Sequence, residues 1–150
     1  MLQIGDKMPA FEVLDQDGNT VTSQDLIGTG KKTIIYFYPK DNTSGCTAEA
    51  CSFRDNYAAL VEAGYNVVGV SKDSAKSHTG FQAKHGLPFR LLADTTPEML
   101  QAFGAWGEKK MYGKTTMGTL RRTFIFDENG ILERIIEKVD TKNAAGQILE

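Results

Sequence analysis

A chain of 150 residues, 41% hydrophobic and 24% charged, has the size and composition of one globular domain that buries a core without staples. Its 17 Lys and Arg are dispersed and balanced by 19 Asp and Glu, which argues against a broad nucleic-acid footprint while leaving room for one basic face. No apolar run approaches the ~20 residues of a membrane helix, and the opening Met1-Leu-Gln-Ile-Gly-Asp-Lys lacks the basic and apolar regions of a secretory signal, so the expected compartment is the cytoplasm.

In chain order, FEVLDQDGNTVT (Phe11 to Thr22) reads as a hairpin turned at Asp17-Gly18. The β-forming run Thr33 to Tyr38 predicts a strand that stops at Pro39. A short polar loop follows, then a helix from about Gly45 to Glu62 that ends at Gly64. YNVVGVS (Tyr65 to Ser71) is a buried strand, Ser74 to His85 a helix stopped by Gly86, and PFRLLAD (Pro88 to Asp94) a third strand. Thr96-Pro97 reads as an N-cap and a proline at the first position of a short helix to about Phe103. RTFIFDENGILERIIE (Arg122 to Glu137) gives two strands around an Asn129-Gly130 turn, and Asn143 to Leu149 a last helix. The order β-α-β-α-β-α-β-β-α implies an α/β sandwich, with parallel strands in the middle of a mixed sheet, flanking helices and an antiparallel pair at one edge. No repeat or linker divides residues 1–150, so one domain is expected, and its order is similar to that of a thioredoxin-like fold.

Of the two cysteines, Cys46 stands at the junction between the strand ending at Tyr38 and the helix after it. In a reducing compartment the pair is not expected to form a permanent bridge. Ligands of open α/β sheets bind beyond the carboxyl ends of the strands, where helices begin. First-turn N–H groups are unpaired there and the helix dipole is positive; both favour the thiolate, the nucleophilic form. The alternative is a small buried hydrophobe, the ordinary fate of a free cysteine. Its polar neighbours Asn42, Thr43, Ser44 and Gly45 argue against that.

Other cysteine chemistries fit less well. Acyl transfer normally uses a histidine base. His78 and His85 belong to one predicted surface helix, where His78 is expected to be exposed and His85 to serve the helix C-terminus. Cys46 and Cys51 are spaced too widely for a zinc knuckle, and no second ligand pair exists, so no metal is expected. The Cys-x-x-Cys of a disulfide oxidoreductase is absent. No glycine pattern resembles a phosphate cradle, and Phe103 and Trp106 read as core or pocket wall, so no cofactor is implied. There remains a thiolate flanked by hydroxyls and glycine N–H groups, with an arginine as a further candidate. Such a site attacks an electrophilic oxygen or sulfur without a protein base.

Within YPKDNTSGC, the pattern Pro39-x-x-x-Thr43-x-x-Cys46 resembles the active-site signature of the peroxiredoxins. TAEAC, which ends in Cys51, is similar to their bacterioferritin-comigratory or Q-type branch, as are GVSKDS (Gly69 to Ser74), FRLLAD (Phe89 to Asp94) and GEKKMYGKTTMGTLRRTFIFDENG (Gly107 to Gly130). The resemblance runs from about Gly5 to the end of the chain. Ser44 departs from it, since the branch often has proline there; no catalytic side chain is lost.

The resemblance implies a thiol-dependent peroxidase for hydrogen peroxide and small organic hydroperoxides, recycled by thioredoxin or a similar dithiol protein, with no metal or cofactor. Neither nucleic acid nor membrane is an implied partner, and the expected state is a monomer, with a weak dimer as the alternative. Cys46 would be the peroxidatic nucleophile, converted to a sulfenic acid. Arg121 would stabilise the thiolate and bind the peroxide, Thr43 would give it a hydroxyl, and Pro39 would keep bulk water away. Glu49 would orient an arginine, and Cys51 would resolve the sulfenic acid as a disulfide. Each also has a plainer reading. Pro39 ends a strand, Thr43 caps a helix, Glu49 is a solvated first-turn acid, and Cys51 is an inert thiol. Arg121 and Arg122 are adjacent, so on a strand only one faces the site; the resemblance selects Arg121. A sensor or binding module with the same fold, using Cys46 without turnover, is the competing function.

Overall fold

The residues of β3 (Lys32–Phe37) alternate between two cores, and the rest of the chain is arranged around that alternation. The computed structural model describes residues 2–150. Ile34 and Tyr36 point to one side of the sheet and Ile35 and Phe37 to the other, all fully buried, as in a strand covered on both faces. β4 (Tyr65–Ser71) runs parallel to β3, and β5 (Arg90–Ala93) parallel to β4. On the other side of β3, β8 (Arg122–Phe126) pairs antiparallel, followed by β9 (Leu132–Ile136). The hairpin of β1 (Glu12–Leu14) and β2 (Thr20–Thr22) joins β5 through Leu14 and Ala93, giving the order β2-β1-β5-β4-β3-β8-β9.

One face of this sheet is covered by α2 (Ser44–Asp55), α3 (Tyr57–Glu62), α4 (Ala75–His85) and α6 (Ala144–Leu149), which bury Phe53, Leu60, Phe81 and Ile148 against Ile34, Tyr36, Leu91 and Ile125. The other face carries α1 (Ser23–Ile27) and α5 (Glu98–Phe103), whose Leu26, Met99, Leu100 and Phe103 pack on Ile35, Phe37, Val70 and Phe124. Gly69, in the middle of β4, is required by packing: a Cβ there would lie 2.8 Å from the Tyr36 ring and 2.9 Å from Leu91.

The mixed sheet with a parallel centre is as the sequence predicts, with several local differences. Antiparallel strands flank both edges rather than one, because the amino-terminal hairpin joins the sheet. The helix expected from Gly45 to Glu62 is two helices, interrupted at Asn56, whose side-chain amide donates to the Ser52 carbonyl at 2.9 Å. α5 begins one residue late, with Pro97 as its cap and Glu98 N–H donating to the Thr96 hydroxyl at 3.2 Å. One helix and a two-stranded ribbon were not anticipated. α1 is only five residues long, although Thr22 and Asp25 form a capping box. The ribbon of β6 (Trp106–Met111) and β7 (Lys114–Thr119) stands apart from the main sheet, and β7 is mostly exposed, so it lacks hydrophobic alternation.

Candidate active site

At the carboxyl end of β3, Tyr38 N–H still bonds the Val70 carbonyl at 3.0 Å. Pro39 then ends the pairing, having no N–H to donate. The chain turns through Asn42, whose φ of 64° lies in the left-handed region that asparagine tolerates better than most residues. Thr43 takes the N-cap position of α2 with an extended backbone, but its hydroxyl donates to the Lys40 carbonyl at 2.8 Å and caps no first-turn N–H. Cys46 is the third residue of the helix. Local chemistry thus leaves the positive end of α2 open to an anion beside the cysteine.

Cys46, Glu49, Ala50 and Phe53 form the buried stripe of α2, at the spacing of one helix face. The Cys46 residue is 1% exposed and Glu49 is 0% exposed. Arg121 joins them. Its Nη1 donates to Glu49 Oε1 at 2.6 Å and its Nη2 to Cys46 Sγ at 3.3 Å. The sheet register explains why this arginine reaches the site. β8 is antiparallel to β3, with Arg122 opposite Phe37, so Arg121 enters at the end where β3 hands over to the cysteine loop. Arg121 shares its face with Thr123 and Ile125, on the α2 side, whereas Arg122 shares the opposite face with Phe124. The Arg122 guanidinium accordingly donates to the Gly104 carbonyl and lies 3.8 Å from Glu137.

Burial pushes the Glu49 carboxyl up to about 7, against the opposing pull of the Arg121 charge and hydrogen bond. Its Oε2 is buried without a hydrogen-bond partner among the described residues, as is the Tyr36 hydroxyl. Burial works against the Arg121 charge, but Glu49 and the Cys46 sulfur outweigh it, and ionisation of the guanidinium is pushed up. The site therefore holds a permanent cation against a sulfur near a helix N-terminus.

Of the other residues singled out in the sequence, Pro39 is half-buried beside the loop and Thr43 is exposed at its end. Cys51 is half-buried and free, off the core stripe because five residues turn a helix by about 140°. Glu49 is not a solvated acid but a fully buried one. His78, expected to be exposed, is fully buried. Its Nδ1 lies 2.7 Å from Asp41 and its Nε2 2.9 Å from the Leu92 carbonyl. The signal that could have found it is spacing, since His78 and Phe81 are three apart and together form the inner face of α4. Asp41, buried within the cysteine loop, was also missed, because an isolated loop acid carries no sequence periodicity.

Among the described residues, no group of three or more His, Cys, Asp and Glu is placed to hold a metal, and no helix is long and apolar enough to cross a membrane. A cavity of about 720 Å³ between the amino-terminal hairpin, α1 and β4–β5 includes neither Cys46 nor Arg121 in its walls.

Comparison with known proteins places these features in context. Residues 4–135 match the AhpC/TSA family. The chain is 42% identical over 149 residues to Peroxiredoxin Bcp of Bacillus subtilis, covering 99% of this chain and 94% of that protein. It is 40% identical over 142 residues to Peroxiredoxin Bcp of Escherichia coli, covering 95% and 90%. Among solved structures, a cysteine-to-serine mutant of Xylella fastidiosa PrxQ superposes with a TM-score of 0.91 at 30% identity, over 99% of this chain and 94% of that one.

Proposed function

The chain belongs to the AhpC/TSA family, in its Q-type or bacterioferritin-comigratory peroxiredoxin branch, and is a thiol-dependent peroxidase; within that activity we propose that Cys46 is the attacking cysteine and Cys51 its resolving partner. The observation that carries this reading is the Arg121 guanidinium, 3.3 Å from Cys46 Sγ and 2.6 Å from buried Glu49. The Cys46 thiolate attacks the terminal oxygen of a hydroperoxide. The S–O bond forms as the O–O bond breaks, sulfur loses two electrons, and the departing alkoxide or hydroxide takes up a proton. Arg121 and the open first-turn N–H groups of α2 face the place where negative charge develops, on the logic of an oxyanion hole. Thr43 supplies a hydroxyl to the peroxide oxygens and Pro39 shields the thiolate, while Glu49 holds the guanidinium in place.

The Cys51 thiol then attacks the sulfenic sulfur; an S–S bond forms and water leaves. A dithiol protein of the thioredoxin kind returns both cysteines to thiols. The substrates of this reading are hydrogen peroxide and small organic hydroperoxides. It acts in the cytoplasm, as one domain and as a monomer, and uses neither metal nor cofactor. Excess hydrogen peroxide supplied with thioredoxin, its reductase and NADPH tests the assignment. The wild type consumes peroxide over many turnovers and Cys46→Ser consumes none. Consumption that stops after one equivalent would instead make the protein a sensor, and undiminished turnover in Cys46→Ser would remove Cys46 from the chemistry.

A further inference from the structure

Asp41 lies between Pro39 and Thr43, and it is tied down from several directions. Its Oδ1 accepts the Tyr38 hydroxyl at 2.6 Å, and its Oδ2 accepts the Ser77 hydroxyl and meets His78 Nδ1, each at 2.7 Å. Its own N–H donates to Asp73 Oδ2 at 2.8 Å, a carboxylate that also receives the Ser71 hydroxyl at the end of β4. His78, on α4, reaches across to the Leu92 carbonyl of β5. Burial opposes ionisation of Asp41, but the bonds from His78, Tyr38 and Ser77 prevail and hold its carboxyl below the ordinary value. The His78 ring thereby bridges the Asp41 carboxyl and the Leu92 carbonyl. A buried polar network whose members are all satisfied rigidifies the structure and specifies one arrangement.

The segment on the other side of Thr43 is held differently. Among the described residues, the side-chain hydrogen bonds to residues 44–51 come only from Arg121. We propose that the Asp41–His78 pair is a positioning device that anchors the loop bearing Pro39 and Thr43 to β4, α4 and β5. It presets the surroundings of Cys46 for peroxide and confines the unwinding needed for disulfide formation to the residues after Thr43. Asp41 and His78 are thus positioning residues, remote from the reacting atoms. The proposal rests on Cys46 being the attacking cysteine.

Stopped-flow mixing with hydrogen peroxide, with acid quenching and mass analysis, separates oxidation of Cys46 from formation of the Cys46–Cys51 disulfide. In His78→Ala the oxidation step falls by about 10-fold or more, the scale of a misplaced catalytic group, while disulfide formation is not slowed. Asp41→Asn keeps the same partners, its amide nitrogen donating to His78 Nδ1 and to the Ser77 oxygen while its amide oxygen accepts the Tyr38 hydroxyl, and oxidises within about twofold of wild type because the loop stays anchored. Asp41→Ala opens no ring-sized cavity and carries the same prediction as His78→Ala should that variant not fold. Oxidation at the wild-type rate in the alanine variants, equal slowing of both steps, or an Asp41→Asn variant as slow as the alanine variants overturns the proposal. A wild type that is not oxidised at Cys46 would overturn the underlying assignment instead.

Discussion

Glu49 and Arg121 together set the charge that Cys46 meets. Because Arg121 alone of the two adjacent arginines touches the sulfur, Arg121→Ala is expected to slow oxidation of Cys46 by ~10²-fold, the order seen when one charge-stabilising donor is lost. Arg122→Ala changes that rate little; stopped-flow oxidation of both variants checks the order. Glu49 carries a prediction about pH. Its folded value, about 7, lies above the ordinary carboxyl value of 4.5. Below the lower value both folded and unfolded chains hold the proton and no penalty exists. As pH rises toward about 7 the unfolded chain releases its proton first, so stability is progressively lost, and above that the penalty is complete. Glu49→Gln removes this loss. Its melting temperature relative to wild type is therefore expected to increase from pH 4 to pH 8, and an unchanged difference would contradict the assignment. At this scale the sequence was partly legible. Alternation showed that only one of Arg121 and Arg122 faces the cysteine and the resemblance selected Arg121; alternation by itself could not, because the choice lies in the β3–β8 register, a pairing between residues far apart in the chain.

On the proposed roles of Cys46 and Cys51, α2 must do two incompatible things in one catalytic cycle. As a helix it holds Cys46 beneath Arg121. Yet cysteines five apart on a continuous helix have Cα atoms about 8.6 Å apart, beyond the ~7 Å that a disulfide spans. α2 runs unbroken from Ser44 to Asp55 and both cysteines are free, so disulfide formation requires its first turns to open. Gly45 and the missing Thr43 cap lower the cost of opening. One equivalent of peroxide is expected to reduce the far-UV helical signal, reversibly with dithiothreitol, and to yield a monomer with a linked Cys46–Cys51 peptide. Cys51→Ser shows no such loss and instead passes to sulfinic acid or to dimers through Cys46. β4 carries a stability prediction. Gly69→Ala brings a methyl group within 2.8 Å of Tyr36 and is expected to cost about 1–3 kcal/mol in denaturant unfolding, as overpacking of a core does. Elements with strong signals were readable: the apolar run of β3, and α4 between Ser74 and Gly86. The break at Asn56 was not, because the amide that ends α2 takes a carbonyl from its own helix, and flanking helical pattern conceals it.

For the molecule as a whole, the two-faced sheet explains why the site is both buried and faced by a cation. β3 carries one core on each face, so its carboxyl end is held from both sides, and β8 enters antiparallel at that same end with Arg121. The thioredoxin-like order was legible because alternating strand and helix signals admit few topologies, and the position of Cys46 followed from it. The seating of His78 inside the molecule was not legible, because it depends on a carbonyl of β5 and a carboxylate of the cysteine loop meeting across the sheet end. The central claim is that Cys46, held by Arg121, is the atom that peroxide oxidises. It is tested most directly by treating Cys51→Ser with less than one equivalent of hydrogen peroxide in the presence of a sulfenic-acid trap such as dimedone, then mapping the adduct by peptide mass. The account predicts a single adduct on Cys46, lost when Arg121→Ala is added and the reaction is quenched at the same early time. Peroxide consumed with Cys46 unmodified, or an adduct formed equally fast without Arg121, would contradict it.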